Sequence, residues 1–489
     1  MKNIFKGLLI ITMVVLGSCS TDLLDPVPKT SLGENQAFDN KERVVGQVNG
    51  LYAMLKSGEF LAGRYQVYND IRAENFLPKS TNLVTGYATW NHSVVSATNE
   101  VQNLWGAVYA DINAINIFLE GLDASWSSGK LTGLITDAEY NQYKSEALAL
   151  RAISYFSMLQ LYAQPYNKNN GASPGLPLRL KAYKTGADND MARSTVAEVY
   201  TQILKDLDDA EGLAIDKYST DLLNTTRIHK NTIIAYKTRV HLHKNDFAKV
   251  QTEAAKIVSA NAPFTAPSGV AFALTPTFAG IWATPYTSKE SILSMPFTST
   301  NLPGTQNALA HYHHPSSSEA YYLNDAPGTA FSLLDAEDAR KKLFATGTVS
   351  GKNVFFSGKY TNFTVQADYA PVIRYAEVLL NYAEAIVKGG NAVNQKAVDL
   401  LNAVRTRSFA TGAYTLADFT SVAAFQTAIM NERSMEFLGE GIRNMDLLRT
   451  LSTIPGKTGS PSPVEPSSPA YIWPIPTTEL NINKLMTGN

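Results

Sequence analysis

Cys19 is the only cysteine among 489 residues, and its setting suits it to lipid attachment. It follows Leu16-Gly17-Ser18. Before those stands an apolar run from Leu8 to Leu16, behind Lys2 and Lys6. A basic start, about 7–15 apolar residues and small residues at the cut make a secretory signal. A thiol directly after the small residues can take diacylglycerol before cleavage. This predicts residues 1–18 as a cleaved lipoprotein signal and Cys19 as the lipid anchor. The alternative is an ordinary signal peptide with a chance cysteine. The run is too short to span a bilayer, which takes about 20 residues.

Two ladders of charge could carry acid–base chemistry. One lies on a helix opening at Pro371, where Arg374, Glu377, Asn381, Glu384 and Lys388 share a stripe. Proline suits a first helical turn, and Glu384 and Lys388 form an i,i+4 pair. The other runs through Glu432, Arg433, Glu436, Glu440, Arg443, Asp446 and Arg449. Paired carboxylates can hydrolyse glycosides, provided one keeps its proton. Neighbouring arginines hold carboxylates ionised, the wrong state for a general acid. Both ladders therefore read as structural ion-pair seams. His311, His313 and His314 cluster without a helical His-Glu-x-x-His pattern and read as a chance surface group in a loop. No glycine-rich phosphate loop or Gly-x-Ser-x-Gly is present. No catalytic residue, metal ligand or cofactor is assigned.

The elements that must position these residues are mainly helical. Apolar residues recur at 3–4 spacing over Phe38–Leu55 and Trp105–Leu122, and Tyr140–Tyr162 is apolar nearly all round. Ser194–Leu213, Lys230–His243 and Phe247–Ser259 continue the series, with Asn245-Asp246 as a tight turn. Ala235–Ala260 and Leu379–Arg407 resemble tetratricopeptide units, which must stack to bury their apolar faces. Residues 20–35 are a proline-broken tether. Between 262 and 370 proline, glycine, serine and threonine dominate. Helical periodicity survives there only near Ala330–Ala345, and Ser291–Met295 suggests a strand. Such excursions are where binding residues concentrate. With 42 basic and 43 acidic residues, no basic face is expected for nucleic acid.

Seven blocks, in order along the chain, resemble the SusD/RagB family of outer-membrane nutrient-binding lipoproteins. They are the segment at Cys19 with Leu24-Asp25-Pro26, then Asn49-Gly50-Leu51-Tyr52, and then Trp105-Gly106-Ala107-Val108-Tyr109. Next come Glu146-Ala147 with Leu150-Arg151-Ala152, and the Arg374–Leu380 helix with Tyr382-Ala383-Glu384-Ala385. Arg405 and Arg407 joined to Glu432–Leu447, and Pro474-Ile475-Pro476 with Glu479, complete the set. The chain departs from the family at Ala163 and across Asn481–Asn489.

The resemblance implies a mainly α fold with a minor α+β character: a SusD-like scaffold of tetratricopeptide-like helix pairs with a loop-rich ligand-binding region. It implies one domain over 36–489, mostly helical at 36–261 and 371–451, with a loop-rich excursion at 262–370, behind a lipid-anchored tether at 19–35. It implies an outer-membrane, surface-facing lipoprotein that binds oligosaccharides without cleaving them. A SusC-like TonB-dependent transporter would be its partner. A peptide-binding member is the alternative, and a glycoside hydrolase stands further off. Asp22 and Asp25 give a thin version of the acidic mark for surface export. The family's shared motifs hold no ligand contacts, so aromatic chemistry supplies the candidates. Sugar C–H faces pack on rings, and amides meet their hydroxyls. The candidates are Tyr87, Trp90, Asn91, Trp282, Tyr286, Tyr312, Tyr321 and Tyr322.

Overall fold

The apolar stripe after Phe38 folds as helix α1 (Lys41–Leu55), opened by the Asn40 side chain, which accepts the Arg43 amide at 2.9 Å. The computed structural model describes residues 36–186, 189–457 and 460–489. The signal 1–18, Cys19, Asp22, Asp25 and the tether 19–35 lie outside the described residues.

Helix α2 (Arg64–Ile71) leads to two long antiparallel helices, α3 (Asn99–Ser127) and α4 (Asp137–Tyr162). A Thr136–Glu139 capping box starts α4 and satisfies two otherwise orphaned amides. Every residue from Ser145 to Tyr162 is buried, so α4 lies at the centre, as its all-round apolar surface demands. Its few polar groups are paired. Arg151 donates to both Asp206 oxygens at 2.7 and 2.8 Å, and Ser154 to Asp111 at 2.6 Å. Helix α5 (Val196–Leu213) packs on α4.

Two hairpins extend the stack. Helices α6 (Lys230–His243) and α7 (Phe247–Ile257) turn at Asn245, φ 58°. Helices α8 (Tyr375–Gly390) and α9 (Gln395–Ser408) turn at Asn391, φ 48°. Asparagine tolerates this left-handed backbone at little cost. Helix α7 lies against α8, so each pair covers its neighbour's apolar face. Helices α10 (Val422–Glu436), α11 (Arg443–Arg449) and α12 (Thr477–Ile482) follow. One buried apolar cluster runs from Phe38 to Met486. Asn489, in the divergent end, donates to the carbonyls of Tyr162 and Trp473 at 3.0 and 2.6 Å.

Sheet among the described residues is limited to antiparallel two-stranded ladders. In chain order the strands are β1 (Phe76–Pro78), β2 (Ser291–Met295), β3 (Tyr321–Leu323), β4 (Ala345–Val349), β5 (Lys352–Phe356) and β6 (Ala370–Arg374). They pair as β1 with β3, β2 with β6, and β4 with β5. The loop-rich excursion thus holds more strand than its composition suggests. The helical patch near Ala330–Ala345 splits into a four-residue helix (Ala330–Leu333) and a 3-10 turn (Ala339–Leu343).

Two expectations need correction. Pro371 does not open a helix, because Ala370–Arg374 is strand β6 and α8 starts at Tyr375. The register shifts between Leu293 and Ser294, and Ser294 faces Pro371. A proline lacks the ladder donor, so an irregularity is where a strand accepts it. Glu384 does not pair with Lys388, which is exposed. It accepts both terminal nitrogens of Arg449 at 2.7 and 2.8 Å.

Candidate ligand-binding site

The charged ladders form a buried framework beneath the loops. Arg374, 2% exposed, closes β6 and reaches Glu290, Glu436 and Glu440. Arg340 holds Asp338, Glu432 and Glu436, while Arg407 holds Glu290 and Glu436. Asp446 takes Arg433 and Arg449, each at 2.7 Å. Burial would raise Glu436, but Arg407, Arg374 and Arg340 outweigh it and hold the carboxyl at about 2. Glu384, Glu440 and Asp446 are lowered in the same way by their guanidinium neighbours against the pull of burial. None of these four is poised to donate a proton near neutral pH. These carboxylates are buried in ion pairs, but every arginine on Glu432 and Glu436 comes from another element and none from within the ladder.

The three histidines separate instead of forming a surface cluster. His313 is fully buried between Phe76 and Tyr360, with ring centroids 5.2 and 5.5 Å away. His311 meets Tyr312, and His314 stacks on Phe363 at 5.1 Å with an interplanar angle of 8°. The short helix Leu309–His313 points successive rings in different directions.

The candidate aromatics fall into two groups. The first surrounds the β1–β3 ladder. Trp90 is 6% exposed, and its indole N–H donates to the Phe76 carbonyl at 2.8 Å. Tyr87 stacks on its ring at 5.5 Å, and the Lys457 ammonium lies 5.2 Å from the ring centroid. Burial draws the Lys457 amine down to about 7. Asn91, half-buried, accepts from Ser460 at 3.3 Å. Tyr321 is buried and donates to the Thr85 carbonyl at 3.0 Å, and Tyr312, also buried, donates to Gln306 at 2.7 Å. Trp90, Tyr312 and Tyr321 therefore serve as packing in this structure. Tyr322 points to the other face of β3, half-buried, 6.3 Å from the Phe356 ring. Replacing Trp90 by alanine should cost about 3–5 kcal/mol of stability. Denaturant unfolding of the variant would check this, and an unchanged midpoint would contradict the packing role.

The second group lies where residues 282–290 meet 361–369. Tyr286 and Tyr369 are half-buried, 4.9 Å apart and tilted by 30°. The Tyr286 hydroxyl donates to Asp368 at 3.1 Å, and the Asn362 amide donates to the other Asp368 oxygen at 2.9 Å. Burial raises Asp368 above the usual carboxylate range, and those two hydrogen bonds oppose it. Burial lowers the His314 imidazole, and the nearby Asp368 carboxylate opposes it only in part. Tyr286 has φ 63°. A bulky residue held there costs on the order of 1–3 kcal/mol, and such positions gather at functional sites. Trp282 is half-buried over the framework, with Lys359 and Arg374 4.8 and 5.5 Å from its ring. It covers those cations.

The two groups adjoin. Lys79 donates to the carbonyls of Pro315 and Ser317 at 2.8 and 2.9 Å and lies 5.8 Å from the Phe356 ring. His314, the residue before Pro315, belongs to the second group. Half-exposed rings beside an accepting carboxylate and an ammonium can stack on C–H faces and bond hydroxyls. Tyr369, Asp368, Phe363 and Phe356 were not singled out in the sequence. For Tyr369, Asp368 and Phe363 the signal was the run Phe363–Tyr369 at the end of the excursion, which holds two rings and an acid.

Comparisons with known proteins identify the family and the fold. A family model described as "SusD family" matches residues 318–489, and one described as "Starch-binding associating with outer membrane" matches residues 22–242. A SusD superfamily protein of Bacteroides fragilis is 30% identical, with a TM-score of 0.80, over 92% of this chain and 99% of that one. The chain belongs to the SusD family. SusD-like protein P38 of Formosa agariphila is 23% identical, with 92% of each chain covered. Surface glycan-binding protein A of Bacteroides thetaiotaomicron, solved with laminarihexaose, shares the fold at 18% identity and a TM-score of 0.72, over 92% of this chain and 99% of that one. The mainly α SusD-like fold expected from the sequence is the fold observed. No described helix is long and apolar enough to cross a membrane.

Proposed function

We propose that this SusD-family protein is a lipid-anchored outer-membrane receptor that binds oligosaccharides and passes them uncleaved to a TonB-dependent transporter. The observation that carries the reading is the Tyr286–Tyr369 pair around Asp368, half-exposed and held at a strained backbone. His314 and Phe363 extend that face, and Tyr322, Tyr87 and Asn91, around the β1–β3 ladder, are further candidates for contact. Residues 36–489 act as one unit, in which the helix pairs at 36–261 and 371–451 hold the excursion at 262–370 in place. The arginine-bound carboxylates support a role without catalysis. The family's association with the outer membrane, and the glycan bound by a protein of the same fold, support the ligand class and the location.

The test is calorimetric titration of the full chain with a glycan panel that includes laminari-oligosaccharides, alongside a peptide pool. Glycan binding with no new reducing ends is expected. Binding of peptides alone would move the protein to a peptide importer, and new reducing ends would make it a hydrolase. A Cys19→Ser variant should leave the membrane fraction for the soluble one. Two acyl chains give stable anchoring, and the near-balanced charge offers no polybasic substitute. Immunoblots of fractionated cells would check this, and full retention of the variant would refute the lipid anchor.

A further inference from the structure

A cleft of about 360 Å³ opens between α3, α12 and the segment joining α4 to α5, and it shares no residue with the aromatic face above. Small-molecule pockets start near ~300 Å³. One face of α3 supplies Trp105, Tyr109 and Asn113, each a helical turn apart. Gly106 and Ala110, both exposed, keep the floor low. Opposite stand Arg179 and Tyr183, and α12 brings Glu479. Ile482 on the rim is 62% exposed.

The polar groups are held in place. Glu479 accepts the Trp105 indole N–H at 3.2 Å and the Asn483 amide at 2.8 Å, so both oxygens are engaged. Arg179 lies over the Tyr183 ring at 5.1 Å. It donates through Nη2 to the Asn189 carbonyl at 2.7 Å and stands 3.6 Å from Glu479. Among the described residues, no hydrogen bond takes its Nε or Nη1. Burial, then Tyr155 and Glu479, raise the Tyr109 phenol, which donates to the Pro177 carbonyl at 3.0 Å. Arg193, outside the cleft lining, donates to the backbone carbonyls of Gly175, Pro174, Thr487 and Gly488. In the cleft, the Arg179 guanidinium thus stands beside one carboxylate whose oxygens are already bonded and two phenol rings.

We propose that this cleft is a second binding site, for a sugar that carries a carboxylate, a hexuronate unit. The rings of Tyr109 and Tyr183 would take its C–H face, and the open Arg179 donors its carboxylate, since a charge-assisted bond is the stronger kind. The proposal does not depend on the Tyr286 face.

The probes are the trisaccharides of galacturonate and of glucuronate with their neutral hexose counterparts, titrated calorimetrically into the full chain. One uronate trimer should bind about tenfold or more tightly than its neutral counterpart, the difference a charged hydrogen bond makes. Arg179→Gln should weaken it by a similar factor. Gly106→Leu should do the same by filling the floor, and a Cβ there meets nothing within 4 Å, so its fold is expected to survive. With the aromatic face removed by Tyr286→Ala, uronate binding that is sensitive to Gly106→Leu should remain. Circular dichroism would confirm that each variant is folded. The proposal is overturned if neither uronate binds, if neutral and acidic trimers bind alike, if binding survives Gly106→Leu, or if Tyr286→Ala abolishes it.

Discussion

Replacing Arg374 by methionine should lower stability by about 3–5 kcal/mol, the cost of leaving buried carboxylates without their partner. The guanidinium donates to Glu440 at 2.7 and 2.8 Å and to Glu436 at 3.1 Å, and it also pairs with Glu290. It ties β6 and the start of α8 to the turn between α10 and α11. Arg407 and Lys359 still hold Glu290 and Glu440 at 2.8 and 2.6 Å, so the variant should fold but unfold at lower denaturant. The penalty should also depend on pH. Glu436 sits at about 2 in the fold against an ordinary 4.5. A carboxyl lowered on folding stabilises fully above its unfolded value and loses that contribution as pH falls toward its folded value. The gap between parent and variant should therefore be widest near neutrality and shrink from about pH 4.5 toward 2. Urea unfolding of both proteins across that range reads it directly. A constant gap would mean that Glu436 is not held by Arg374.

Tyr286→Ala and Tyr369→Ala should each weaken oligosaccharide binding about 10- to 100-fold, the worth of one aromatic face removed from water. Loss of the Tyr286 side chain also removes one hydrogen bond from Asp368, which keeps that of the Asn362 amide. Stability should not fall as it does for Arg374→Met, since both rings are half-exposed and no buried charge loses its ion pair. Calorimetry with the glycan that the parent binds separates the outcomes. Unchanged affinity in both variants would remove this pair from the site.

Much of this architecture was legible because long helices print their period in the sequence. The stripe of Val44, Val48, Leu51 and Leu55 and the all-round apolar α4 each admit one packing solution. Asn245 marked its turn through the left-handed backbone that asparagine tolerates. Short strands print less. The β4–β5 hairpin turns at Ser350 and Gly351, φ 48° and 77°, a Ser-Gly signal between short alternating runs that passed unnoticed. Pro371 carried a true helix-start preference that the pairing of β6 with β2 overrode. The site was half legible. Tyr286 stood out, but its partners Tyr369 and Asp368 come from more than eighty residues away, and only the fold brings them together. Trp90 looked like an open ring in a loop. Its burial under Tyr87 and Lys457 depends on a contact across 367 residues that no local pattern encodes.

The most direct test is a crystal structure of the protein soaked with the oligosaccharide it binds. A pyranose ring lying on Tyr286 and Tyr369, with a hydroxyl on Asp368, is the predicted result. Sugar density seated elsewhere, with those two rings bare, would contradict it.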